Sequence, residues 1–379
     1  MKKRRCVRLV WALALVAVSS GVGGLQGSSA EDVHAFALLA NNRLMGFSPV
    51  TGSVDFSISL GGAAAADSVG RYLAYSPAHD WIYVLSQNPQ RRASTLSVVD
   101  LATHTLTRRI QLERGTQFRS LAVGRRTGRV FLFGHVSGVE RGRRFERLVI
   151  VVKNPVGTRT LARWLVAKSR AFDWRIFQGA VSPNEGTVFV SYHGSSTSGA
   201  DSFAVTAKGL IPCQTAHPPG RGCIPVHGAI EPFNDQLLGT AGDPAWIRLM
   251  TRSGKIIKTF ATGLARNHLM QFTLDPLNRI AYAIGSCGYT GGLSRIDLGT
   301  GAAKLIGYPA PPSSGEALRS GICGERVAIV SGSMLILAKL HKPVPQWGKS
   351  GALLIADGST GQIIESIPVP SEPIDVISQ

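Results

Sequence analysis

The sequence predicts an all-β protein built from repeated four-stranded units, and three observations carry that reading. A short apolar run, a tight turn and a second apolar run recur along the chain, clearest at Phe272-Thr-Leu-Asp-Pro-Leu-Asn-Arg-Ile-Ala-Tyr-Ala-Ile-Gly285. Each such hairpin is followed by an outer strand pair joined by its own turn, as in Leu293-Ser-Arg-Ile-Asp-Leu-Gly-Thr-Gly301. The 379 residues include 43 Gly and 20 Pro, a composition suited to many short strands and frequent turns. The hairpin turns recur at intervals of about 44 to 58 residues, too long for a leucine-rich or ankyrin repeat and right for propeller blades.

Inner hairpins fall at residues 73–84, 121–133, 180–190, 229–232, 274–284 and 322–330. Outer pairs follow them, starting at Leu96, Leu148, Ser202, Trp246, Leu293 and Leu353. One more outer pair, residues 44–47 and 54–58, comes first in the chain. Seven outer pairs against six complete hairpins leave one inner strand missing, and residues 373–378 supply it beside residues 36–39. The prediction is a seven-bladed β-propeller of four-stranded antiparallel blades. Its ring closes by pairing N- and C-terminal strands, which leaves no bare sheet edge. A propeller of this length is one domain, residues 31–379.

Residues 1–30 have the pattern of a signal peptide. Lys2, Lys3, Arg4, Arg5 and Arg8 form a basic leader, residues 7–18 are apolar, and Ser28-Ser-Ala30 is a small-residue cleavage site. The apolar run is too short to span a membrane. Export to the periplasm or the extracellular space follows, with no transmembrane segment. Arg4 and Arg5 match a twin-arginine pair, but Arg8 interrupts the apolar residues expected after it, so the route is left open.

The chain has a formal net charge of +18 from 41 Lys+Arg and 23 Asp+Glu. Removing the five basic residues of the leader leaves 36 against 23, a net charge of about +13. That charge favours anionic partners such as cell-wall polymers or lipid headgroups, and outside the cell nucleic acid is not expected. A GC-rich genome would raise the Arg content with no functional meaning.

Four cysteines follow the leader, an even number suited to two disulfides in an exported protein. Cys213 and Cys223 bracket a Pro/Gly-rich loop whose closure contributes about 3 kcal/mol in the chain-entropy model. Cys287 and Cys323 remain as the second pair. The alignment sets Cys287 at one face and Cys323 near the opposite end of the next inner strand, so this pairing is left open. A zinc site is the rival, without a C-x-x-C to support it.

If inner strands start at the top, the second-to-third-strand loops lie on that face and the tight turns at Pro77 and Pro276 on the bottom. The long segments at 86–94, 137–147, 194–201 and 339–351 are then top loops suited to recognition, the first two carrying arginines and the last His341 and Trp347. Counted back from the bottom turns, Arg71 and Arg119 fall six residues ahead. Arg175, His227, His268 and Arg319 fall five to eight ahead. Together they predict a cation-lined channel mouth that concentrates an anionic ligand. His135 and His193 end second strands on the same face, without metal-ligand spacing.

No nucleophile elbow, H-E-x-x-H, P-loop or EF-hand motif is present. The repeated hairpin with its Asp-x-x-Thr-Gly turn resembles the secreted YVTN-type β-propellers, relatives of lactonase-like and amine-dehydrogenase heavy-chain propellers. The resemblance covers residues 34–378 and implies structural turn roles for Asp297, Thr300, Gly301, Asp357, Thr360 and Gly361. It also implies a rigid platform. The expected function is a non-catalytic binding scaffold for a partner protein or an anionic small molecule or polymer, without a cofactor. The alternative is an enzyme: a lactonase-like hydrolase needing a divalent metal, or a heavy subunit whose redox cofactor resides in a small partner subunit.

Overall fold

The computed structural model describes residues 34–61, 71–88, 93–140, 143–169, 175–193, 198–206, 209–212, 228–241, 245–264, 269–285, 292–306, 326–330, 334–338 and 352–379. All regular structure among them is β. The predicted leader, which holds Cys6, and the four cysteines that follow it lie outside the described residues.

The strands form four-stranded antiparallel sheets arranged as a propeller ring, seven sheets among the described residues. Six are each built from four consecutive strands. The first runs β4 (Leu73–Ser76), β5 (Trp81–Asn88), β6 (Ala93–Asp100) and β7 (Thr105–Gln111). The next holds β8 (Thr116–Val123), β9 (Val130–Glu140), β10 (Arg143–Lys153) and β11 (Thr160–Ser169). It is followed by β12 (Arg175–Val181), β13 (Thr187–His193), β14 (Ser198–Thr206) and β15 (Gly209–Pro212). Then come β16 (Ile230–Phe233), β17 (Gln236–Ala241), β18 (Trp246–Thr251) and β19 (Ile256–Ala261). Strands β20 (Leu269–Asp275), β21 (Ile280–Gly285), β22 (Gly292–Asp297) and β23 (Ala303–Ile306) make the fifth. The sixth is β24 (Arg326–Val330), β25 (Met334–Ala338), β26 (Ala352–Asp357) and β27 (Ile363–Pro368).

The remaining sheet joins both ends of the described chain. β28 (Pro373–Ser378) pairs antiparallel with β1 (Ala35–Leu39), with Phe36 opposite Ile377, and β2 (Arg43–Phe47) and β3 (Val54–Ser59) follow. Each inner strand touches the inner strand of the next sheet in the order β4, β8, β12, β16, β20, β24, β28, and β28 touches β4.

Burial explains the sequence pattern. Second strands are covered by neighbouring sheets on both faces, so they read as continuous apolar runs. In β5, Ile82, Tyr83, Val84 and Leu85 are all fully buried, and every residue of β21 is buried. Outer strands face solvent, so β3 and β7 are mostly exposed. The outer turns behave as the resemblance implied. Asp297 Oδ1 accepts the amides of Gly299 and Thr300, both at 2.8 Å. Asp357 Oδ1 accepts those of Ser359 at 2.9 Å and Thr360 at 2.7 Å. Gly301 and Gly361 follow at φ 87° and 73°, a left-handed conformation that glycine adopts without steric cost. The Ser359 hydroxyl and these amides hold the Asp357 carboxyl down at about 2.

Two readings of the sequence are corrected. Residues 327–330 were expected as a second strand, yet they lie in β24, the inner strand of their sheet, and β25 takes the second place. An apolar run of this length carries no periodicity that separates the two roles. Residues 137–147 were expected as a long loop, yet most of them belong to the β9–β10 ladder, paired from Val130 with Lys153 up to Glu140 with Arg143.

Candidate functional site

The channel walls are the inner strands, and a recurring irregularity shapes their upper ends. Arg119 has no residue opposite it, because Phe118 pairs with Gly134 and Ser120 with Phe133. Phe177, Met270 and Ile374 are skipped in the same way in β12, β20 and β28. Such a bulge re-aims the side chains beside it. The residue that follows is polar and buried each time: Ser120, Gln178, Gln271 and Asp375.

Three of these reach the next inner strand. Ser120 Oγ accepts the Gly179 amide at 3.0 Å. Gln178 Nε2 donates to the Ile230 carbonyl at 2.8 Å, and the Ile230 amide donates back to Gln178 Oε1 at 3.3 Å. Asp375 Oδ2 accepts the amides of Tyr72 at 2.6 Å and Leu73 at 3.0 Å. Inner strands of different sheets share no ladder, so these side chains satisfy backbone groups that water cannot reach. The sequence reading missed all four. The available signal was a lone polar residue at the head of each inner apolar run.

Arg71 precedes β4, and its guanidinium pairs with Glu231 of β16, three sheets away around the ring. The pair therefore crosses the channel. The side chains are 25% and 15% exposed. Burial alone would lower the Arg71 pKa, but Glu231 and Asp375 together outweigh it and hold the guanidinium above its ordinary value. A cavity of about 500 Å³ surrounds the pair. Its lining mixes small aliphatic residues, including Ala74, Ala122, Ala180 and Val181, with polar ones that extend to Tyr75, Arg125 and Gln379.

The predicted cation ring is distributed as follows. Arg71 faces the channel but is engaged by a carboxylate, so this part of the channel is charge-paired rather than uniformly cationic. Arg119 sits at the β8 bulge, and its charge, after burial, is the second cause that lowers the His135 pKa to about 4. His135 is buried, with no hydrogen-bond partner at Nδ1 among the described residues. Arg175 begins β12 and stands opposite His193 in the ladder. His227, His268 and Arg319 lie outside the described residues, as do Cys213, Cys223, Cys287 and Cys323. No cluster of metal-ligating side chains occurs among the described residues.

No family model matches the chain, and no curated protein matches it in sequence. Solved structures do match. A Bacteroides fragilis protein provisionally assigned as a 6-phosphogluconolactonase aligns with a TM-score of 0.60 at 14% identity, over 93% of this chain and 99% of its own. The fold is a β-propeller. A functionally unknown protein from Desulfotomaculum acetoxidans aligns with a TM-score of 0.57 at 10% identity, over 88% and 95%. The dihydro-heme d1 dehydrogenase NirN aligns with a TM-score of 0.53 at 12% identity, over 92% and 75%. At these identities the likeness reaches the fold and stops there.

Proposed function

We propose that this chain is an exported, seven-bladed propeller, closed by its N- and C-terminal strands, that acts as a non-catalytic binding scaffold. Its partner is a protein or ligand of anionic character, taken at the top face. The β28–β1 pairing and the contacts of β28 with both β24 and β4 support the closed seven-bladed ring. The leader pattern and the net charge of the remaining chain support export and an anionic partner.

The observation that carries the binding site is the β9–β10 hairpin. Two eleven-residue strands stay in register to Glu140 and Arg143, so the stretch 143–147, with three arginines in its sequence, belongs to a paired arm rather than a loop. At its base the Arg147 guanidinium lies over the Phe145 ring at 5.0 Å. A backbone already paired in an arm loses less entropy on binding than a loose loop does. Arginine suits carboxylate and phosphate partners through its bidentate geometry.

The test is a pull-down of the chain from its own culture at low and high salt, beside an Arg143→Ala/Arg144→Ala variant. A stoichiometric partner that survives high salt with the native chain and is lost with the variant supports the reading. Retention that is only salt-sensitive, or unchanged in the variant, removes the specific site.

A further inference from the structure

The channel cavity holds features that the top-face reading does not use. Arg125, in the turn after β8, lines it and is exposed, with no hydrogen-bond or ion-pair partner among the described residues. Pro77 and Gln379 line the same end and are also exposed. This end belongs to the tight-turn face, opposite the β9–β10 arm. Tyr75 stands beside it, its hydroxyl donating to Asp80 at 3.2 Å and accepting from Gln379 at 3.1 Å.

Deeper in, the cation is engaged. Two carboxylates, Glu231 and Asp375, act on the single guanidinium of Arg71. An anionic group therefore finds the inner cation already engaged and Arg125 open at the outer end. Between them stand small aliphatic residues, among them Ala74, Ala122 and Ala180, within a mixed lining, and the volume of about 500 Å³ is that of a small-molecule site.

We infer that this cavity binds a small organic anion with an aliphatic body, entered from the tight-turn face with its charged group held by Arg125. The acid supplies a charge-assisted contact, and the chain displaces water from Ala74, Ala122 and Ala180. The polarity of the site fixes the direction of entry.

Calorimetric titration of the full chain with octanoate, octanol and sulfate tests this. Saturable one-to-one binding of octanoate is expected, with octanol weaker by about tenfold or more and sulfate without saturable binding. Arg125→Ala weakens octanoate about tenfold without moving the thermal midpoint, because Arg125 is exposed. Sulfate binding as well as octanoate, or Arg125→Ala binding octanoate like the native chain, overturns the proposal. The Arg143→Ala/Arg144→Ala variant should bind octanoate normally, so failure of the top-face reading registers separately.

Discussion

Asp375 holds the amides of Tyr72 and Leu73 on a single carboxylate oxygen, so the last inner strand of the chain pins the first. Asp375 is 2% exposed and Tyr72 is fully buried. Removing the acceptor would leave buried N–H groups without their partner. Asp375→Ala should lower stability by about 2–4 kcal/mol, and Asp375→Asn, which keeps one oxygen, by less. Urea unfolding of both variants measures the difference, and equal losses would mean that the charge rather than the acceptor matters.

The Arg71–Glu231 pair makes a different prediction. Glu231→Ala leaves Arg71 facing an apolar wall with only Asp375 to offset it and should cost about 1–3 kcal/mol, reduced from a fully buried pair by its partial exposure. Replacing both residues with Leu should recover most of that loss. A double-mutant cycle reads the coupling, and additive losses would show that the two do not interact.

His135 predicts acid sensitivity. Its pKa in the folded chain lies at about 4, below the ordinary 6.5, through burial first and the Arg119 charge second. The unfolded chain therefore takes up this proton first as pH falls. Stability contributed by the neutral ring is fully present above 6.5 and declines between 6.5 and about 4, by a total of about 3 kcal/mol. His135→Gln should flatten the unfolding free energy across that window, and an unchanged slope would assign the acid loss to other groups.

Gly179 packs against a neighbouring sheet so closely that a Cβ would lie 2.0 Å from Phe133 Cδ2. Phe133 is fully buried and has no open space to retreat into. Gly179→Ala should therefore destabilise by about 1–3 kcal/mol, and Gly179→Ala with Phe133→Leu by less than the sum of the two changes. Thermal unfolding of the three variants checks it.

The corrected place of β24 bears on the cysteines. Strands β21 and β24 touch, β21 ends at Gly285 and β24 begins at Arg326, within three residues of Cys287 and Cys323. The sequence alignment had set these cysteines at opposite faces, whereas the strand ends that flank them share one. Peptide mapping without reductant should recover the pairs Cys213–Cys223 and Cys287–Cys323. Finding Cys287 or Cys323 as free thiols would remove the second bridge.

What the sequence determined by itself is local. The Asp297 and Asp357 turns were legible because the carboxylate, the amides it accepts and the left-handed glycine all lie within five residues. The hairpins were legible because apolar runs and turn residues follow each other directly in the chain. The bulge residues, the ties from Ser120, Gln178 and Asp375, and the neutralisation of Arg71 were decided only by tertiary structure. Their partners stand on other sheets, from 52 residues away for Gln178 and Ile230 to 303 for Asp375 and Tyr72. A side chain shows its own chemistry in the sequence, but its electrostatic role depends on what the arrangement of the sheets brings opposite it.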